Sequence, residues 1–272
     1  MRRIALALMR GLAERGARTG WAPSPGGPLR YTIRGPAEKA SALLIHGLGD
    51  SLAGWAWVAG PVSRGYQLHL IDLPGHGLSG TPPDWRLGTL AASVAEYARW
   101  LHEPVLIGHS LGGWLALRLA LSGAIRPRAI ILVNPGGAAL GRELWPPFRQ
   151  LVSARDRAGV GRYLDAAFHR APLALRLFPG EVIGAMSEEA CGGILDALSE
   201  ADFLREAELA GLDAPLRLVW GAEDHLLPEG TLAFFRRALP RAEVVLLPGS
   251  GHLPHLETPA ALARALLAPF PA

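Results

Sequence analysis

The stretch Val105-Leu106-Ile107-Gly108-His109-Ser110-Leu111-Gly112-Gly113 constrains this chain more than any other. Apolar, β-branched residues run into Gly-x-Ser-x-Gly, and Trp114 to Leu121 then continues at helical spacing. Strand, sharp turn and helix therefore follow one another with a serine at the apex. So tight a turn strains the backbone of Ser110 and brings strand and helix together where side chains at positions 108 and 112 would clash. It leaves the Ser110 hydroxyl in the open at a helix N-terminus, where backbone N–H groups and the helix dipole favour a developing oxyanion. Gly-x-Ser-x-Gly alone is common; in this context it predicts a nucleophilic serine.

The 272 residues are 50% hydrophobic and 19% charged, a globular composition with room for one large α/β domain and an insertion. The formal charge of +3 comes from scattered arginines, with no basic run interleaved with aromatics, so no nucleic-acid surface is expected. Lys39 is the only lysine and Asn134 the only asparagine. That bias fits a GC-rich genome, and the scarcity of thermolabile amides fits a thermophile. The single cysteine, Cys191, excludes an intramolecular disulfide and suits a reducing, cytoplasmic compartment. It reads as a small buried apolar residue. Arg10 breaks the N-terminal apolar run too early for a signal peptide, and without a run of 18 apolar residues no membrane span is expected.

Residues 2–18 predict an amphipathic helix with Ile4, Leu8 and Leu12 on one face. Residues 19–28, with three prolines and three glycines, predict an irregular lead-in, so 1–28 reads as N-terminal helix and linker. Strands follow at 29–34, 41–45, 67–72, the elbow and 129–133, interleaved with helices at 55–58, 87–101 and after Ser110. The alternation then stops. The 82 residues of 134–215 far exceed the dozen or so that a crossover needs. Their pattern is helical, with Leu144, Phe148, Leu151 and Val152 at i, i+4, i+7 and i+8, and predicts an inserted helical cap over 136–214. Strands at 216–220 and 243–247 and helices at 229–239 and 259–267 resume the alternation. The core, 29–135 and 215–272, is predicted to be a mostly parallel sheet with helices on both faces.

A serine hydroxyl at its free pKa is a poor nucleophile and needs a base, which in turn needs a group that fixes its tautomer and stabilises its cation. His252 stands in a glycine-rich loop, Pro248-Gly249-Ser250-Gly251-His252, past one strand, and Asp224 stands past the preceding one. Loops after the C-terminal ends of parallel strands share one sheet edge, so Ser110, Asp224 and His252 can meet there. His252 is preferred to His255, which follows Leu253-Pro254 inside the next segment. His46, His109, His76 and Asp72 read as structural hydrogen-bonders, and Glu223 and His225 as neighbours of Asp224 without a role. No cluster has metal-ligand spacing, and no glycine-rich loop has a nucleotide-binding pattern, so neither metal nor cofactor is expected.

These motifs together resemble the α/β-hydrolase fold superfamily over about residues 29–135 and 215–268. The resemblance is carried by His46-Gly47, Asp72-Leu73-Pro74-Gly75-His76-Gly77-Leu78-Ser79, the elbow, Trp220-Gly221-Ala222-Glu223-Asp224 with Pro228, and Gly251-His252-Leu253-Pro254-His255-Leu256-Glu257. It implies an oxyanion hole formed by the backbone N–H groups of Leu48 and Leu111. The expected activity is that of a serine hydrolase cleaving a carboxylic ester through an acyl-enzyme. Leu144, Trp145, Phe148 and Phe168 are expected to line a hydrophobic pocket for the acyl or alcohol group of a small-molecule substrate. Two alternatives stay open: a carbon–carbon bond hydrolase of diketone-like ring-cleavage products, and a small-molecule receptor on the same fold without turnover. Against the former, Leu48-Gly49-Asp50-Ser51 stands where such relatives tend to carry further glycine and proline.

Overall fold

Continuous apolar runs such as Ser41–Ile45 and Ala129–Val133 bury both faces of a strand, which requires helices on either side of the sheet. The computed structural model describes residues 2–186 and 189–270. Its strands are β1 (Arg18–Ala22), β2 (Leu29–Arg34), β3 (Ser41–Ile45), β4 (Gln67–Ile71), β5 (Val105–His109), β6 (Ala129–Val133), β7 (Leu216–Gly221) and β8 (Glu243–Leu247). They form one sheet in the order β1-β2-β4-β3-β5-β6-β7-β8. The pairings of β2 with β1 and β4 are antiparallel, and all later ones are parallel.

The helices up to the elbow are α1 (Arg2–Glu14), α2 (Ala56–Val62), α3 (Leu87–Ala98) and α4 (Leu111–Leu121). Between β6 and β7 lie α5 (Trp145–Val152), α6 (Arg157–Ala167), α7 (Leu173–Leu177), α8 (Pro179–Met186), α9 (Glu189–Ala197) and α10 (Glu206–Leu209). After β7 come α11 (Thr231–Ala238), α12 (Pro254–Glu257) and α13 (Pro259–Leu267). The period-two alternation of the strands separates two cores. Leu43, Ile45, Leu106, Ile130 and Leu132 meet α3, α4 and α11 on one face. Leu44, Ile107, Ile131 and Val133 meet α2, α13 and Ala13 of α1 on the other.

Two of the differences from the sequence reading lie in the N-terminal region. The lead-in is not irregular throughout, because Arg18–Ala22 pairs antiparallel with β2 as an edge strand. Five residues beside prolines carry little strand signal of their own; the strand is defined by its antiparallel register with the next one, Ala22 opposite Leu29. The first helix also ends at Glu14, not residue 18, and Gly16 follows at φ +70°, the left-handed conformation that stops helices. Met9, Leu12 and Ala13 turn inward while Leu8 is 70% exposed. The side chain of Ile4 lies outside the described residues. Cys191 is buried.

The two ends of the helical segment between β6 and β7 are tied to each other and to α4. Leu204 donates from its N–H to Gly137 O (2.7 Å), and Ala139 N–H donates to Leu204 O (2.9 Å). The Arg118 guanidinium of α4 donates to the carbonyls of Ala201, Asp202 and Phe203. Val160, Leu164, Phe168, Val182 and Leu195 form its own apolar cluster. The strand order reverses between β3 and β5, and in such sheets the crevice beyond the carboxyl ends at that point takes ligands. Among the described residues no helix is long and apolar enough to cross a membrane.

Candidate active site

The elbow is built by steric necessity. Ser110 has φ 51° and ψ −116°, a conformation that costs a non-glycine residue about 1–3 kcal/mol and persists only where its surroundings impose it. They do so here: Ser110 N–H donates to Val133 O (3.0 Å), and α4 begins at the next residue. A Cβ at Gly108 would overlap the Gly112 carbonyl oxygen, and one at Gly112 would overlap that of Ile45. Both glycines are needed for α4 to lie against β3 and β5. Among the described residues, the Ser110 hydroxyl has no hydrogen-bond partner.

The loops after β7 and β8 bring the second and third groups together. Asp224 Oδ2 lies 2.8 Å from His252 Nδ1, and both side chains are buried. Asn134 Nδ2 donates to the same Oδ2 at 2.5 Å, while Oδ1 accepts from the N–H groups of Leu226 (2.9 Å) and Leu227 (3.3 Å). Burial pushes the Asp224 carboxyl up, but His252, the Asn134 amide and the Leu227 N–H more than offset it and hold its pKa below the ordinary value. An ionised Asp224 accepts a hydrogen bond from the Nδ1–H of His252 and so keeps the ring proton on that nitrogen, which leaves the Nε2 lone pair available as a base.

Around this pair the backbone is pinned. His252 N–H donates to Ala167 O at 2.7 Å, at the end of α6. Glu223 accepts from Ser250 N–H (3.0 Å) and Glu257 from Gly251 N–H (2.7 Å). His109 Nε2 lies 2.8 Å from the His252 carbonyl, and only as a donor can it bond there. Burial, then the neighbouring His255 and His252, push the His109 pKa well below its usual value, so it stays neutral. His46 Nε2 accepts from Leu73 N–H (2.9 Å), and Asp72 accepts from Leu52 and Leu78 N–H and from Arg10, organising the loop as the sequence suggested.

Two cavities meet at Ser110. The first, about 530 Å³, is lined by Leu111, Leu144, Trp145, Phe148 and Phe203 among others. The second, about 520 Å³, is lined by His252, Tyr163, Phe168, Leu175 and Phe178 among others. Leu48, Ser110 and Phe148 border both. Of the pocket residues expected from sequence, Leu144 and Trp145 thus face one cavity, Phe168 the other and Phe148 both. The backbone N–H groups of Leu48 and Leu111 have no hydrogen-bond partner among the described residues.

His255 stands apart from Asp224. Its Nε2 lies 3.5 Å from Asp50 Oδ2, and its ring packs on Trp55 and His109. Donor atoms of Asp50, His109 and His255 come within 4.8 Å of one another, a grouping invisible in sequence spacing; His109 Nε2 bonds the His252 carbonyl, while its Nδ1 has no hydrogen-bond partner among the described residues. Sequence reasoning missed Asn134 and undervalued Glu223. Asn134 had one usable signal: a lone polar residue directly after a fully buried strand, here at φ 43°.

A partly exposed serine where two cavities meet, a carboxylate-held histidine bordering one of them and two unpartnered N–H groups, among the described residues, have the parts to move a proton and hold an oxyanion. Residues 42–265 match the alpha/beta hydrolase family. Over 249 residues the chain is 30% identical to a pimeloyl-[acyl-carrier protein] methyl ester esterase of Yersinia enterocolitica, covering 87% of this chain and 95% of that one. Among solved structures, a bacterial membrane phospholipase A superposes with a TM-score of 0.81 at 26% identity, covering 97% of this chain and 89% of the other. Carboxylesterase CesB from Bacillus subtilis superposes with a TM-score of 0.79 at 19% identity, covering 98% and 95%, and shares the fold.

Proposed function

We propose, from the premise that this chain belongs to the alpha/beta hydrolase family and is a hydrolase, that it cleaves carboxylic esters with Ser110, His252 and Asp224 as its triad. The observation that carries the reading is the buried Asp224–His252 pair at 2.8 Å, whose histidine lines the same cavity as the strained Ser110. Ser110 Oγ attacks the ester carbonyl, and His252 Nε2 takes its proton and returns it to the leaving alcohol. Asp224 keeps the proton on Nδ1 and stabilises the imidazolium. The N–H groups of Leu48 and Leu111 receive the oxyanion, a contribution typically of about 10²–10³ in rate per donor. Water activated by His252 then releases the acyl group. The Ser110–His252 hydrogen bond forms on substrate binding, as such bonds often do.

The relative from Yersinia is named as an esterase of a methyl ester, and the reading as an ester hydrolase agrees with that name. The helices over residues 136–214 act as a cap whose apolar side chains select the substrate. A panel of alkyl and p-nitrophenyl esters of increasing acyl length tests this: kcat/KM should rise stepwise until the cavity is full and then fall. A profile flat with chain length, and unmoved by Trp145→Ala or Phe148→Ala, would reject the cap as the selecting element. Inert esters alongside cleavage of a vinylogous diketone would replace the ester reading with carbon–carbon hydrolysis.

A further inference from the structure

Ser110 stands where two cavities of similar size meet, and only one of them contains the group that must protonate the leaving oxygen. We infer that the substrate is an ester with two sizeable arms, its acyl group in the first cavity and a large apolar alcohol in the second. This rests on the ester-hydrolase reading and goes beyond it, because that reading says nothing about the size of the alcohol.

The assignment of arms follows from proton bookkeeping. In acylation the Ser110 Oγ–carbonyl bond forms and the carbonyl–alkoxy bond breaks. The proton of Ser110 passes to His252 Nε2 and on to the departing alkoxide, which leaves as a neutral alcohol. That oxygen must therefore lie within hydrogen-bond reach of His252. His252 borders the second cavity and not the first, whereas Leu111, with one of the two unpartnered N–H groups, borders the first and not the second. With the oxyanion between Leu48 and Leu111, the alcohol runs into the second cavity and the acyl chain into the first.

The second cavity is built for more than a methyl group. A methyl group fills about the share of one water, roughly 30 Å³, whereas the cavity measures about 520 Å³. Apart from Ser110, the histidines, Asp50, Tyr163 and Cys191 its wall is apolar, with Leu164, Phe168, Leu175, Phe178 and Val182 contributed by the segment between β6 and β7. The first cavity has polar groups at Ser199, Arg205 and Thr231 as well as aromatic ones. A polar acyl terminus is thus tolerated there, while the aliphatic and aromatic part of the second cavity suits a hydrocarbon alcohol. After acylation the same apolar cavity faces the acyl-enzyme, so a long alcohol should compete with water for the acyl group.

Methyl, butyl and hexyl butyrate separate the arms, because these alkanols are similar leaving groups and differ mainly in surface. Each buried methylene is worth up to nearly fourfold, so kcat/KM should rise on the order of 10²-fold from methyl to hexyl. Acyl-enzyme formed from p-nitrophenyl butyrate in the presence of 1-hexanol should yield hexyl butyrate at least tenfold more efficiently than ethanol yields ethyl butyrate. Ala139 and Ala174 are exposed residues bordering the first and second cavity respectively. Ala174→Trp should lower the hexyl-to-methyl ratio at least tenfold, and Ala139→Trp should instead lower the ratio of methyl octanoate to methyl butyrate. A small fluorophosphonate reports separately on Ser110. If Ser110 labels and the hexyl ester is cleaved no better than the methyl ester, the two-armed substrate is wrong. If the two tryptophan variants exchange effects, the arms are reversed and the assignment fails. If Ser110 does not label, the ester-hydrolase reading fails first and this inference goes with it.

Discussion

Replacing Asn134 by alanine removes the 2.5 Å hydrogen bond to Asp224 Oδ2 and the acceptor of Gly221 N–H at 3.2 Å. Both partners are buried, so about 1–3 kcal/mol of stability should be lost for each group left unsatisfied. Asp224 loses a donor that holds its orientation, so kcat should fall about 10- to 100-fold with KM nearly unchanged; steady-state kinetics on a short ester reads this out. Asp224→Asn should cost roughly 10⁴ in kcat, because it puts the wrong tautomer on His252. A loss within tenfold would show that Asp224 does not set the tautomer. Ser110, Asp224 and His252 were legible as candidates because each stands in a loop directly after a strand, where the proposed chemistry needs such side chains. Asn134 could not, since an asparagine at a strand end reads equally as turn chemistry, and its partner lies 90 residues away.

At the scale of elements, the elbow depends on the approach of α4 to β3 and β5. Gly112→Ala would drive a methyl group into the carbonyl oxygen of Ile45, so helix and strand must separate. Overpacking of this kind typically costs about 1–3 kcal/mol and sometimes more. The urea midpoint should fall accordingly, and fluorophosphonate labelling of Ser110 should slow because its φ of 51° is no longer imposed. Unchanged labelling would show that the strain has no part in reactivity. The parallel strands were legible because continuous apolar runs such as Ala129–Val133 leave no alternative at that length. β1 was not, for its stability lies in the register with β2 and not in its own five residues. The short helix α12 escaped too: Pro254–Glu257 is a single turn, set by Pro254 and by Glu257 reaching back to Gly251.

At the scale of the whole molecule, buried neutral histidines make stability depend on pH. Burial, then the charge of Arg18, pushes the pKa of His69 down to about 4, against an ordinary value of 6.5 in the unfolded chain. Between these values the unfolded chain binds the proton and the folded one does not. This contribution is therefore complete above pH 6.5 and is lost as the pH falls towards 4. At about 1.4 kcal/mol per pKa unit it amounts to roughly 3 kcal/mol. His69→Gln should flatten the fall of the urea midpoint between pH 7 and 4.5; an equally steep fall would contradict the assignment. The fold as a whole was readable because strand–helix alternation and five ordered motifs agree with one another. The division of the interior into two cavities was not, because it depends on where helices of the 136–214 segment come to rest over Ser110. Everything proposed for the reaction depends on that serine. The most direct test is to treat the protein with one equivalent of a fluorophosphonate, measure the intact mass, and map the modified peptide in the wild type and in Ser110→Ala. A single adduct on the peptide containing Ser110, absent from the variant, is the expected result. An adduct that persists in Ser110→Ala, or that maps to another residue, would contradict the account.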